Sequence, residues 1–267
     1  MFKSEEINKF LKHEFDFSNQ HKDTYNDWLS AFSKSVKKRA EEDCIIGLSS
    51  GYDSGALMSE LNNLEVPYKA YIIPANENKE ILEERMKLVI ENNDYDIEDL
   101  SPEKFKEYKE FLEKNIENSK YIIKYNGIET DMHILDDRAS MGGAFMCDTA
   151  KKEGRSLYLS TQGADEIISD YSLIPAQSTY KGVFPEDLKE WDNFKKGCNY
   201  SYMMKEERVA GAYGIEVRYP FLDIDLVQEY LWLKAELKNR NYKAPLHEYL
   251  IKHSIPFEKG IKRGFAP

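Results

Sequence analysis

A short apolar run, Cys44-Ile45-Ile46-Gly47-Leu48, passes without a spacer into Ser49-Ser50-Gly51-Tyr52-Asp53-Ser54-Gly55. An apolar run of this length, bounded by a small-residue turn, reads as a strand. A helical pattern follows from Ser54 to about Leu64. A strand that turns on glycine and serine into a helix leaves the helix's unpaired N–H groups and positive dipole end at the turn. Small residues there let an anion approach the backbone, and the serine hydroxyls add donors. Asp53 is placed to hold a magnesium ion that bridges phosphates. A plain strand-to-helix turn with Asp53 or Ser54 as N-cap explains the same residues equally well.

The alternation continues along the chain. Tyr68 to Ile73 reads as a second strand, 77–92 as a charged helix, and Tyr95–Leu100 as a third extended stretch. Residues 102–118 form a Lys/Glu-rich helix, Ser140–Lys152 another, and Ser156–Ser160 a fourth strand. Residues 4–40 look helical on Ile7, Phe10, Leu11, Trp28, Leu29, Phe32 and Val36, and the patterns after about residue 185 are mainly helical. Strands alternating with helices predict an α/β fold: a Rossmann-like parallel sheet, right-handed crossovers, helices on both faces and a helical C-terminal part. The expected organisation is an N-terminal helical segment, 1–42, followed by one domain, 43–267. In such sheets ligands bind beyond the carboxyl ends of the strands, which is where the turns after 44–48 and 157–160 fall.

The second of these turns reads Ser160-Thr161-Gln162-Gly163-Ala164-Asp165-Glu166. Adjacent carboxylates after a glycine at a strand end suit a second magnesium ligand, with Asp165 opposing Asp53 across the crevice. Acidic residues placed for the dipole of a helix N-terminus would look the same.

Composition narrows the function classes. The 267 residues suit one large α/β domain. With 37 basic and 48 acidic residues the net charge is −11, which argues against general nucleic-acid binding. Cys44, Cys147 and Cys198 show no paired spacing, so a reducing compartment is expected, with the cytoplasm as the default. No signal-peptide apolar stretch and no run of 18 apolar residues occurs, so no membrane span is expected. The histidines lack metal-ligand spacing, and no Ser/His/Asp or Cys/His nucleophile arrangement stands out.

Taken together, the motifs resemble the ATP pyrophosphatases and, among them, the synthetase domain of the asparagine synthetases. Ser49, Gly51, Asp53 and Ser54 match the pyrophosphatase loop Ser-Gly-Gly-x-Asp-Ser, with Ser50 in place of a glycine. The stretch Leu159–Tyr171 is similar to the family's Leu-Ser-Gly-Glu-Gly-Ala-Asp-Glu-x-x-x-Gly-Tyr, and Arg138-Ala139-Ser140 matches an upstream Arg-Ala-Ser. Glu216, Arg218, Pro220 and Phe221-Leu222-Asp223 fall in register with a third motif. Lys262, Gly264 and Phe265 resemble the closing Lys-x-Gly-Phe, and Lys243 opens a lesser Lys-x-x-Leu match with His247 where an arginine is usual.

The resemblance implies an adenine nucleotide alpha hydrolase-like fold that uses ATP and Mg2+. It puts the adenine at the main-chain edge of Gly47, Leu48 and Ser49 and of 72–74, including Ile73. It puts the phosphates on Ser49, Ser50, Gly51, Tyr52, Asp53 and Ser54, with Ser160, Thr161 and Gly163 also at the nucleotide. Asp53 and Asp165 would hold the metal. Lys262, Arg138, Glu216 and Gln162 would be catalytic. The implied reaction activates a small-molecule carboxylate, aspartate or a related acid, as an acyl-adenylate. Ammonia or an amine then displaces AMP.

About 42 residues precede the first strand and residue 2 is Phe2, so no glutaminase is expected within this sequence, and a separate glutaminase subunit is one candidate donor. Gln162 stands for a family glutamate, Thr161 for a glycine and Leu135 for a threonine. A neutral amide cannot serve as a base, so these departures touch the nitrogen-transfer step more than adenylation.

Other readings stay open. Outside the resemblance, Arg138 would be one more surface arginine, Lys262 part of a basic tail, and Arg218 and Asp223 members of packing ion pairs. A nucleotide-binding protein without catalysis fits Ser50, Thr161 and Gln162. Another enzyme of the pyrophosphatase-loop group, such as a tRNA-thiolating one, is disfavoured by the acidic charge and the lack of a cysteine pair.

Overall fold

The computed structural model of the protein describes residues 5–41, 43–74, 77–90, 93–118, 120–125, 128–171 and 178–263. At its centre is a five-stranded sheet built from β1 (Cys44–Gly47), β2 (Tyr68–Ile72), β3 (Asp94–Ile97), β6 (Leu157–Leu159) and β7 (Glu216–Arg218). Every pairing in it is parallel, and the order is β3-β2-β1-β6-β7. Strands β1 and β2 are almost wholly buried, as their apolar runs require in a sheet covered on both faces.

From β1 the chain steps outward through α3 (Tyr52–Asn63) to β2, then through α4 (Lys79–Ile90) to β3. It then crosses back beyond β1 by way of α5 (Pro102–Asn115) and α6 (Arg138–Lys152) to place β6. Right-handed crossovers of opposite direction put these two helix sets on opposite faces. The packing agrees. Helix α3 meets α4, α2 (Asn26–Arg39) and α12 (Ala244–Lys252), whereas α6 meets α5 and α9 (Gly197–Ala212). The direction of travel reverses between β1 and β6, and the crevice outside their carboxyl ends is the natural ligand position.

Local sequence explains the helix boundaries. Ser101 accepts from the Lys104 amide at 3.3 Å ahead of Pro102, and Asp137 accepts from the Ala139 amide at 2.9 Å at the start of α6. Helix α2 buries Trp28, Ala31, Phe32, Ser35, Val36 and Arg39, a three-and-four spacing that presents one face. Trp28, Phe32 and Val36 join Ile7 and Phe10 in the same core as the sheet residues. Each such fully buried side chain contributes about 1.5–3 kcal/mol.

Four features differ from expectation. The helical stretch predicted over 4–40 is two helices, Glu5–Lys12 and Asn26–Arg39. Between them Phe15 and Phe17 each lie 5.2 Å from Phe194, so tertiary packing overrides helical continuation. A two-stranded antiparallel hairpin, β4 (Lys120–Tyr125) with β5 (Ile128–His133), occupies a region without a predicted element. The third strand is shorter than 95–100, and β7 adds a fifth strand inside the region expected to be mainly helical. No helix among the described residues is long and apolar enough to cross a membrane.

Candidate functional site

The loop after β1 enters α3 through Gly51, whose φ of −73° and ψ of 165° are extended. Two serines fix its shape. The Ser49 amide donates to Ser54 Oγ at 3.1 Å, the two hydroxyls lie 2.8 Å apart, and the Gly51 amide donates to Ser49 Oγ at 3.1 Å. Ser50 is not among the residues with positive φ, so its Cβ meets no left-handed backbone. Its amide donates to Glu77 Oε2 at 2.7 Å, its hydroxyl donates to the same carboxylate, and it accepts from the Asn78 amide at 3.1 Å. Ser50 therefore anchors the loop from behind.

The helix after β6, α7 (Ala164–Ile168), starts at Gly163 with φ +95°. A Cβ at this position would collide with Leu222, so glycine is required by both conformation and space. This sharp entry sets Asp165 opposite Asp53. Between the two carboxylates sits the ammonium of Lys243, 2.6 Å from both oxygens of Asp53 and 2.7 Å from Asp165 Oδ1. Lys262 reaches Asp165 Oδ2 at 3.1 Å and lies over the ring of Tyr171. Burial alone would raise the Asp165 carboxyl, but the Lys243 and Lys262 ammonium groups outweigh it and bring the group to about 2. At Asp53 burial dominates the pull of Lys243 and the carboxyl rises. Burial lowers Lys262, while at Lys243 the two aspartates outweigh burial and raise the ammonium.

These groups stand at one end of a cavity of about 310 Å³ that also takes in Gly47, Leu48, Ser49, Gly51 and Ser54. Its far wall comes from α6 and α9, with Asp137, Lys205 and Glu206 supplying charge. Lys205 pairs with Asp137 at 2.7 Å. Glu206 accepts from Ser160 Oγ at 2.7 Å, and burial, opposed by that bond and by Lys205, pushes its carboxyl up to about 7. Gln162 Nε2 donates to Glu166 Oε2 at 2.8 Å, and Glu166 is also raised to about 7, chiefly by burial and then by Asp165.

Asp53, Asp165, Lys262, Gln162, Thr161, Ser49, Ser54, Gly51, Gly47 and Leu48 thus line one cavity. Other expected residues are not on its wall. Arg138 is exposed, with its guanidinium 5.7 Å from the ring centre of Phe105 on α5, because the residues of α6 facing the cavity are its neighbours Asp137, Ala139 and Ser140. Glu216 begins the edge strand β7 at the sheet's far end and binds Arg218 at 2.7 Å, which also reaches Glu41 at 2.8 Å. Tyr52 is turned into the C-terminal packing, where its hydroxyl accepts from the Gly260 amide at 2.9 Å. Ile73 is core, Ser160 lies behind the wall against Glu206, and Gly163 supplies the turn. Asp223 is structural: it binds Arg39 at 2.7 Å and caps α10 (Ile224–Trp232) through the Asp225 amide at 3.0 Å. Gly264 and Phe265 lie outside the described residues.

Sequence reasoning gave no role to Lys205 or Glu206, and it ranked Lys243 as a lesser match. The signal for the first two was faint: a charged pair in a helix whose neighbours Met203, Val209 and Ala210 are all buried. Lys243 carried a clearer one, a lysine just before Ala244-Pro245, where proline marks a helix start. The free cysteines are all buried, and burial raises the Cys147 thiol at the cavity wall.

No family model matches the chain. A stretch of 120 residues is 30% identical to the glutamine-hydrolysing asparagine synthetase of Gallus gallus, which is 44% of this chain and 20% of that protein. The match thus spans about a fifth of that relative's length. A solved structure of NMN synthetase from Francisella tularensis is 12% identical over 90% of this chain and 97% of its own, with a TM-score of 0.34.

Proposed function

We propose that the protein is an ATP-dependent ligase of the pyrophosphatase-loop kind that activates a carboxylate as its adenylate and passes the acyl group to ammonia or an amine. The observation that carries this reading is the meeting of Asp53, Asp165, Lys243 and Lys262 at the point where the strand order reverses, in front of the serine-pinned loop. The asparagine synthetase similarity supports the same class.

Hard oxygen donors suit magnesium, and two carboxylates leave most of its coordination to water and substrate phosphates. When bound, magnesium would neutralise phosphate charge.

The chain's own residues would do the rest. The loop at 49–54 and the N-terminus of α3 receive the β- and γ-phosphates. Gly47 and Leu48 offer the adenine an apolar edge. Substrate carboxylate oxygen attacks the α-phosphorus, and the bond to the bridging oxygen breaks to release pyrophosphate. Lys262 and Lys243 balance the charge that develops on that leaving group. An amine then attacks the acyl carbon, and the carbon–oxygen bond to AMP breaks. Because Gln162 is an amide, the proton from the amine must go elsewhere, and Glu166, bound to Gln162 and with a carboxyl at about 7, is a candidate acceptor on the cavity wall.

The test is carboxylate-dependent release of pyrophosphate from ATP, screened over aspartate, glutamate and amino-sugar acids. Inertness towards every acid, alongside ATP binding, would turn the reading into one of nucleotide binding without turnover. The position of Arg138 on Phe105 favours that second reading.

A further inference from the structure

Behind the phosphate loop lies a buried cation that the proposed chemistry does not use. Arg85 on α4 is fully buried, at 0% exposure. Among the described residues it has no carboxylate in ion-pair range. Its donors go to backbone carbonyls instead. Nη1 donates to the carbonyls of Ser49 and, at 2.7 Å, Gly51; Nε and Nη2 donate to the carbonyl of Pro256 at 3.0 and 2.8 Å. Helix α3 makes room for it. A Cβ at Gly55 would fall inside the guanidinium, although a glycine within a helix is ordinarily a loss of stability. The loop is thus held on two sides, by Glu77 in the segment before α4, which takes the Ser50 amide, and by Arg85 on α4, which takes the carbonyls of Ser49 and Gly51.

In a trans peptide the C=O and N–H point opposite ways. Turning the Gly51 carbonyl to Arg85 therefore turns the Tyr52 amide, one of the partnerless donors in the first turn of α3, away from it. The grip on Pro256 extends the same unit to the segment that carries Lys262, whose Gly260 amide is itself held by Tyr52.

We propose that Arg85 is a positioning residue for phosphate recognition. By fixing the Gly51 carbonyl it aims the Tyr52 amide at the start of α3 toward a nucleotide's β- and γ-phosphates, and it ties the loop to the Lys262 segment. This rests on the nucleotide reading above. An arginine fork presents its donors at fixed, separated positions, whereas lysine offers a single compact ammonium.

The test is calorimetric titration of the full chain with MgATP, magnesium pyrophosphate and AMP, for the wild type, Arg85→Met, Arg85→Lys and Gly55→Ala. Arg85→Met is expected to weaken ATP and pyrophosphate by about 30-fold and AMP by no more than about twofold. Arg85→Lys should recover part of that loss. Gly55→Ala should reproduce the pattern without changing any charge. A folded Arg85→Met with wild-type ATP affinity, or an equal loss for all three ligands, would overturn the assignment. If Arg85→Met does not fold, the same comparison in the other two variants decides. A wild type that binds neither ATP nor pyrophosphate would instead remove the nucleotide reading itself.

Discussion

The ammonium of Lys243 sits 2.6 Å from each carboxylate oxygen of Asp53, and from the same point it reaches Asp165 at 2.7 Å. The lysine is 3% exposed at its side chain, and its backbone is left-handed, with φ 48° and ψ 52°, at the start of α12. A non-glycine residue held there is strained by about 1–3 kcal/mol, so the surroundings must fix it. The two aspartates supply that constraint. Lys243 is then the internal counter-ion of the pair where a divalent cation is proposed to bind.

Replacing Lys243 by methionine leaves two half-buried carboxylates, with Lys262 beside Asp165 and no ammonium at Asp53. Removing one partner of a buried ion pair costs about 3–5 kcal/mol. The variant should lose that much unfolding free energy in denaturant titrations, and millimolar magnesium should restore part of it. Undiminished stability in chelator would mean that the aspartates do not depend on this ammonium.

The motif containing Asp223 and the motif containing Asp165 should separate cleanly by experiment. Asp223→Ala strips the cap of α10 and leaves Arg39 buried beside Glu6 alone, a loss of about 3 kcal/mol or more. Its ATP affinity, measured on the fraction that remains folded, should stay within about twofold of wild type. Asp165→Asn should do the reverse, weakening magnesium-dependent ATP binding by at least about tenfold. Equal effects of the two substitutions on affinity would erase the division between packing and site.

Much of this architecture was legible in the sequence because it rests on short-range rules. The apolar run ending at Leu48, the serine and glycine turn and the acidic turn at 163–166 gave the sheet class and the crevice. Asp53 and Asp165 could be paired across it before any coordinates, because both open helices that follow strands. What was not legible depends on side-chain direction. Arg138 and Asp137 are adjacent in sequence, yet only Asp137 faces the cavity, because one step along α6 turns a residue by about 100°. Glu216 belongs to a motif that looked functional, but β7 lies at the sheet edge, where Glu216 pairs with Arg218 away from the cavity. The pairing of β4 with β5 had a signal in the sequence, where Asn-Gly, a dipeptide favoured in two-residue hairpin turns, stands between two runs of β-formers.

Glu206 predicts a slope of stability with pH. Burial holds its carboxyl near 7 in the folded protein, with Ser160 and Lys205 opposing, whereas in the unfolded chain it ionises near the ordinary value of 4.5. Between those values the unfolded state binds fewer protons, so stability falls as pH rises and levels off above about 7. Glu166 and Glu207 are raised to about 7 as well and add to the slope. Asp165 acts oppositely, contributing above the ordinary carboxyl value and losing its effect as pH falls toward 2. Glu206→Gln should flatten the decline and gain about 1–3 kcal/mol above neutrality. Chemical denaturation at a series of pH values measures both, and an unchanged slope would place the carboxyl in contact with water.

Arg138 and Lys262 were expected from sequence to share the work of charge balance, and the structure divides them. The guanidinium of Arg138 lies over Phe105, 5.7 Å from the ring centre, at the protein surface, where such a contact is worth about 0.5–1 kcal/mol. Lys262 stands 3.1 Å from Asp165 on the wall of the cavity. Arg138→Ala should therefore lower stability by at most about 1 kcal/mol and leave carboxylate-dependent exchange of labelled pyrophosphate into ATP within about twofold. Lys262→Ala should cut the same exchange by about 100-fold or more, because it removes charge that is needed most as pyrophosphate leaves. The decisive comparison is the exchange rate of the two variants at saturating ATP. A loss for Arg138→Ala as deep as that for Lys262→Ala would require the α6 arginine to swing from Phe105 onto the bound substrate, and would return it to the active site.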